Sequence, residues 1–229
     1  MQSKDLLLNG IYRCANTYLT FAFVEAITIN GPESYMDEFN LKYHLHNHTH
    51  NAALLKLNDP DNETIHFCIF RNPEQLIPSL FMFHYSNEDV KNLNDSEFIR
   101  KIRNACAEYN KYLKNQLKYG YATVILFDDI VNNIHPVLEK ILKSVELEYT
   151  NKIDVNKVKA DLLKIDEERY KDPENFYRNY HLPREEKYPE LKNRVLTTLK
   201  GMKEFDQLMN QYLEIEKRAK ELTPLTISN

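Results

Sequence analysis

Three stretches of the chain carry side chains that could handle an anion or a proton. The first is Gly10-Ile11-Tyr12-Arg13-Cys14-Ala15-Asn16-Thr17. It keeps the outline of a phosphate loop, G-x4-G-K-[ST], whose backbone amides cradle phosphate while the Lys reaches the terminal phosphates. Here Ala15 stands for the second Gly and Asn16 for the Lys, so the point charge that ATP needs is missing. Arg13 still offers a guanidinium fork beside the loop. The second stretch is Arg71-Asn72-Pro73, with Ser79 eight residues beyond Arg71. An Arg at a strand's carboxyl end can grip a phosphate bidentately, and a hydroxyl two turns down the next helix can add a bond. The competing reading is an Arg at the sheet edge held by a surface salt bridge. The third is His44-Leu45-His46-Asn47-His48-Thr49-His50. In a strand all four His share one face. A metal site, a single general base and a solvated surface all fit that pattern. No Cys or carboxylate with ligand spacing follows closely, so no metal is expected.

These stretches have to be positioned by secondary structure. Asp5 to Ile11 reads as a short buried strand, and Thr17 to Ile29 as a helix closed by Gly31-Pro32. Thr64 to Phe70 is almost continuously apolar, as a central parallel strand is. Asn72-Pro73 then opens a helix to about Tyr85, with Asn72 the N-cap and Pro73 in the first helical position. A long amphipathic helix covers Asp95 to Tyr119, and Ala122 to Phe127 is another buried strand. Asp128 or Asp129 caps the region before a helix from about Ile134 to Val145. A weaker strand near Leu41–Leu45 and a helical turn or two over Asn51–Leu57 complete the first half. From Asp154 onward the pattern is helical, ending in one helix from about Pro189 to Lys220. Strands alternating with helices mean α/β with a parallel sheet of about four to five strands flanked by helices, and a helical C-terminal part. No linker divides the chain, so residues 1–229 read as a single domain.

Composition narrows the function. Lys and Arg number 30 against 34 Asp and Glu, a net charge of −4. Such a chain has no overall field for nucleic acid. Three widely separated cysteines make no disulfide framework and fit a reducing compartment. No run of about 18 apolar residues and no signal-like N-terminus occur, so a cytoplasmic protein without membrane insertion is expected. Four glycines in 229 residues are few against a usual ~7%. Each of them therefore invites a backbone reason.

Taken together, the stretches resemble the sulfotransferases that use 3′-phosphoadenylyl sulfate (PAPS). Gly10 to Leu19 looks like the family's 5′-phosphosulfate loop, G-x-x-[RK]-S-G-T-T-W-L. Phe70-Arg71-Asn72-Pro73 with Ser79 looks like its 3′-phosphate motif, R-[DN]-P with Ser at the same offset. His48-Thr49-His50 resembles the K-T-H stretch that carries the catalytic His. Leu126-Phe127-Asp128-Asp129-Ile130 is similar to Y-E-D-L. The likeness spans roughly residues 5–147. Cys14, Ala15 and Asn16 depart from Ser, Gly and Thr, and His48 from Lys. The late loop R-K-G-x-x-G-x-W is absent.

The resemblance implies a P-loop-type sulfotransferase fold and transfer of a sulfuryl group from PAPS to a hydroxyl or amine. The acceptor would be a small molecule or a carbohydrate, and adenosine 3′,5′-bisphosphate (PAP) would be the product. His50 would be the base, with Glu33 or Glu38 as the alternative. Arg13 and His48 would neutralise charge on the leaving phosphate. Cys14, Ala15, Asn16 and Thr17 would cradle the 5′-phosphate and Tyr18 would stack on adenine. Arg71 and Ser79 would hold the 3′-phosphate. Arg178 or Arg184, near Tyr177, Asn179 and Lys187, would stand in for the missing late loop. Two other readings remain at this point: a nucleotide kinase or other phosphotransferase with a degenerate P-loop, and a nucleotide-binding protein of the same fold without turnover.

Overall fold

The computed structural model describes residues 6–31, 48–49, 65–85, 90–119, 123–169 and 189–221. Four strands form one parallel sheet: β1 (Leu6–Gly10), β2 (His48–Thr49), β3 (Ile65–Phe70) and β4 (Thr123–Leu126), in the order β2-β1-β3-β4. Only three of these are full strands, because β2 has two residues. The described sheet is therefore smaller than the four to five strands expected, and helices dominate. The expected Leu41–Leu45 strand and the Asn51–Leu57 turns lie outside the described residues.

β3 is central, and five of its six residues are buried, which explains its nearly continuous apolar character, His66 being the exception. In register, Asn9 lies beside Cys68 and Cys68 beside Val124. The chain leaves β1 toward β2 and later returns to the other side of β1 to form β3. Strand order thus reverses between β1 and β3. In an open parallel sheet that reversal creates a crevice beyond the carboxyl ends of the two strands.

Helices α1 (Asn16–Asn30) and α2 (Pro73–His84) begin directly after β1 and β3. Asn72 caps α2 as its sequence indicates, its Oδ1 accepting from the Glu74 amide at 2.9 Å, with Pro73 in the first turn. The long helix α3 (Asp95–Tyr119) starts with a reciprocal cap. Asn94 Oδ1 accepts from Glu97 N at 3.0 Å, and Glu97 Oε2 accepts from Asn94 N at 3.4 Å. This arrangement satisfies two orphan donors at once. The buried stripe of α3 contains Phe98, Ile102, Cys106, Tyr109, Tyr112 and Leu113. Tyr112 lies on Phe70 of β3, with ring centroids 4.9 Å apart.

After β4 the structure departs from the sequence reading. Phe127 does not end the strand but starts a short helix, α4 (Phe127–Asn132). Asp128 and Asp129 sit in its first turn, and no side chain caps it. Their favourable interaction is with the helix dipole. α5 (Ile134–Ser144) follows, its first turn fixed by Asn133. α6 (Val155–Arg169) packs with α5 against α1. The single C-terminal helix expected is two, α7 (Pro189–Leu199) and α8 (Lys203–Glu221), separated by a turn at Lys200–Met202. α8 runs along α3 and reaches β4. No helix among the described residues is long and apolar enough to cross a membrane.

Candidate functional site

The turn from β1 to α1 lies at the strand-order reversal. Arg13 and Ala15 both take left-handed backbone, φ 70° and 62°, while Tyr12 and Cys14 between and before them do not. Alternation of this kind turns successive backbone amides toward one concave side, a nest suited to an anion. The turn also opens a helix whose first N–H groups have no intrahelical partner. Neither Arg13 nor Ala15 is glycine, so each costs about 1–2 kcal/mol of left-handed strain. Ala15 stands where a phosphate loop has glycine, yet it adopts this conformation as the N-cap of α1.

Asn16 holds the turn in this form. Its Nδ2 donates to the carbonyls of Gly10 at 2.9 Å and Ile11 at 3.1 Å. A Cβ on residue 10 would overlap the Asn16 carboxamide, which is the backbone reason for Gly10. Where a phosphate loop carries a Lys that reaches out to the ligand, this side chain folds back on its own loop. The contribution left for Asn16 to make to an anion is its amide. Thr17, next along α1, is half-buried. Tyr18 is half-buried against the core, and burial raises its phenol above the usual range. Cys14 is fully buried, and its thiol is pushed up to about 12 by burial despite the Arg71 and Arg13 guanidiniums beside it. It is not a thiolate nucleophile at neutral pH.

The second and first stretches meet in space. Arg13 Nε donates to Ser79 Oγ at 3.2 Å, and Arg71 Nη1 donates to the Arg13 carbonyl at 2.9 Å. Arg71 is only 8% exposed, so the surface salt-bridge reading fails. Its guanidinium carbon lies 4.1 Å from the centroid of the Phe127 ring, a cation–π contact. Its backbone is clamped by Tyr109, whose hydroxyl accepts from Arg71 N at 3.2 Å and donates to Arg71 O at 2.6 Å. Ser79 is buried on α2. Two βα units thus place two guanidiniums, one hydroxyl and a nest at one end of the sheet.

Several contributors escaped the sequence reading. Tyr109 and Tyr112 are neighbours on α3; Tyr112 donates to the Asn9 carbonyl at 3.1 Å, so the two tyrosines tie both strand ends to one helix. Their spacing of three along an amphipathic helix is the available signal, but it reads equally as core. Phe127, read as a strand residue, faces Arg71. Tyr12 stacks on Phe83, centroids 5.4 Å apart and 21° between planes, with His84 edge-on to both. Phe83 lies one helical turn beyond Ser79, so this aromatic ledge adjoins the Arg13–Ser79 pair.

Other site residues are placed less fully. His48 is placed through its backbone, in β2 opposite Leu8. His50, Glu33, Glu38, Arg178, Arg184, Tyr177, Asn179 and Lys187 lie outside the described residues, as do His44 and His46. Among the described residues no group of three or more His, Cys, Asp or Glu could hold a metal ion. No protein-family model matches the sequence, and no curated protein matches it.

Proposed function

We propose that the chain is a PAPS-dependent sulfotransferase of P-loop-like fold, acting on a hydroxyl or amine of a small molecule or carbohydrate. The observation that carries this reading is the linked set Arg13–Ser79 and Arg71–Arg13 at the strand-order reversal. PAPS has two anionic ends, and the two βα turns offer one cationic group each. Bound PAPS supplies an activated sulfuryl group, so the protein's share is position and electrostatics. The acceptor oxygen or nitrogen bonds to sulfur while the bond from sulfur to the 5′-phosphate oxygen breaks. The electron pair leaves with that phosphate, and His50 is the residue assigned to take the acceptor's proton. The nest and the amides of Asn16 and Thr17 suit the 5′-phosphate, with Arg13 neutralising the leaving oxygens. Arg71 and Ser79 suit the 3′-phosphate. The compartment proposed is the cytoplasm, in keeping with three buried, unbridged thiols.

The kinase alternative is weakened by Asn16, whose carboxamide is spent on the loop's own carbonyls and brings no charge to a terminal phosphate. Binding separates the readings. PAP at a hundred times Kd should add about 2.7 kcal/mol, a Tm rise of roughly 5–10 °C for a chain of this size. ATP with Mg²⁺ should add little. No shift with millimolar PAP rejects the donor, and a shift without sulfuryl transfer to sugars, phenols and amines points to a binding protein.

A further inference from the structure

β3 ends at Phe70, whose pairing with Leu126 is the last in the ladder. Arg71 is therefore the residue at which the chain leaves the sheet and turns toward Pro73, the first residue of α2. Its side chain has to enter the site from a backbone that the ladder no longer aligns. The Tyr109 hydroxyl acts at this point. It accepts from Arg71 N at 3.2 Å and donates to Arg71 O at 2.6 Å. Holding the amide and the carbonyl of one residue orients the peptide planes on both sides of its Cα, and with them the Cα–Cβ bond.

The hydroxyl is well placed for that task. Tyr109 is fully buried on α3, and its ring stacks on Tyr112 with centroids 6.3 Å apart and 18° between planes. Tyr112 is anchored in turn on the Asn9 carbonyl at 3.1 Å. A group on a packed helix is fixed more closely than one on a loop. Burial raises the Tyr109 phenol well above its usual range, so the hydroxyl keeps its proton at neutral pH and stays a donor to Arg71 O. At the far end of the Arg71 side chain, Nη1 donates to the Arg13 carbonyl and the guanidinium lies over Phe127. Those contacts hold the head of the side chain; Tyr109 holds its root.

We propose that Tyr109 is the positioning residue of the candidate site: acting through the Arg71 main chain, its hydroxyl sets the direction of the Arg71 guanidinium. Selectivity for a second phosphate then depends on α3, an element outside the two βα units that carry the binding groups. The phosphate part of this inference rests on the assignment of Arg71 to the 3′-phosphate; the aiming of Arg71 does not.

Tyr109→Phe removes the hydroxyl and keeps the ring. Tyr149→Phe is the control, since the Tyr149 hydroxyl also accepts from a backbone amide, Ile153 N at 3.2 Å, but stands outside the site. Both variants and the wild type are read in sucrose, which favours the folded state. In the free protein the heteronuclear NOE of the Arg71 side-chain Nε should fall in Tyr109→Phe and hold in Tyr149→Phe. In titration calorimetry PAP should bind Tyr109→Phe about five- to tenfold more weakly than wild type, while AMP binds both alike. Tyr149→Phe should keep the wild-type PAP/AMP ratio. An unchanged Arg71 NOE in Tyr109→Phe overturns the proposal, whatever PAP does. So does an equal loss of PAP and AMP, or a Tyr149→Phe variant that reproduces either effect, because the hydroxyl then acts on stability alone. A wild type that takes no PAP rejects the donor, and the NOE by itself then decides whether Tyr109 aims Arg71.

Discussion

Replacing Gly10 by Ala tests whether the first turn is held by its own Asn16. Gly10 has no positive φ, so Ala is conformationally allowed there, and its smaller unfolded-state entropy alone would stabilise by about 0.4–1 kcal/mol. The opposite is expected. The new methyl occupies the place of the Asn16 carboxamide, which must swing out and abandon two buried carbonyls. Two lost hydrogen bonds at about 1 kcal/mol each, plus about 1–3 kcal/mol for overpacking, outweigh the entropy gain. Gly10→Ala should cost about 2–4 kcal/mol in urea denaturation followed by circular dichroism. Asn16→Ala alone should cost about 2 kcal/mol. In the double variant the methyl has nothing to displace, so its cost should approach that of Asn16→Ala alone, a coupling of about 2–4 kcal/mol. Additive single costs would refute the reasoning, because the Gly10 penalty would then come from some other contact.

Arg71→Ala should abolish the preference for PAP over AMP, losing about 1.5–3 kcal/mol of charge-assisted binding, and Arg71→Lys should restore only part of it; an unchanged PAP/AMP ratio in isothermal titration removes Arg71 from the site. Ala15→Gly should be neutral to about 1 kcal/mol stabilising, since relief of left-handed strain exceeds the glycine entropy cost, while Ala15→Val should destabilise; the urea midpoints of the pair check this. His66, buried, is pushed down to about 4 by desolvation, whereas an unfolded His titrates near ~6.5. The unfolded state therefore binds the proton first as pH falls. Stability is full above about pH 6.5 and drops by about 3 kcal/mol as pH approaches 4. His66→Gln should flatten that part of the stability–pH curve.

The elements that position the site were readable where local chemistry and burial agree. β3 announced itself through the apolar residues Ile65 and Phe67 to Phe70, and α2 through an Asn-Pro start that serves as both cap and first turn. Asp95 and Tyr119 bound α3 as the amphipathic pattern indicates. The break in the C-terminal helix was hidden because Leu199, Met202 and Phe205 keep the apolar face in phase across it. Phe127 was hidden for the opposite reason, since an apolar residue continuing an apolar strand gives no sign of a helix start. At the site, the eight-residue offset of Arg71 and Ser79 was visible, but the link between them was not. It runs through Arg13, 66 residues before Ser79, and depends on a left-handed residue that one sequence cannot reveal.

The same turn explains why Gly10, Arg13, Ala15 and Asn16 belong together. A phosphate loop that relies on Lys and ligand for closure can leave its carbonyls to solvent until phosphate arrives. Here Gly10 leaves room for Asn16, Asn16 bonds the carbonyls of Gly10 and Ile11, and that closure holds Ala15 in a conformation an alanine would not choose alone. The left-handed turn at Arg13 in the same loop sends its guanidinium to Ser79 and leaves its carbonyl for Arg71. Set beside a Lys-bearing phosphate loop, Asn16 makes one physical difference: this turn is shaped by its own side chain and not by a ligand. A preformed loop loses little conformational freedom on binding, and its positive charge comes from Arg13 and Arg71 instead of the first residue of the helix. That places the charge at the junction of two βα units, where a ligand with two separate anionic groups can be held from both sides.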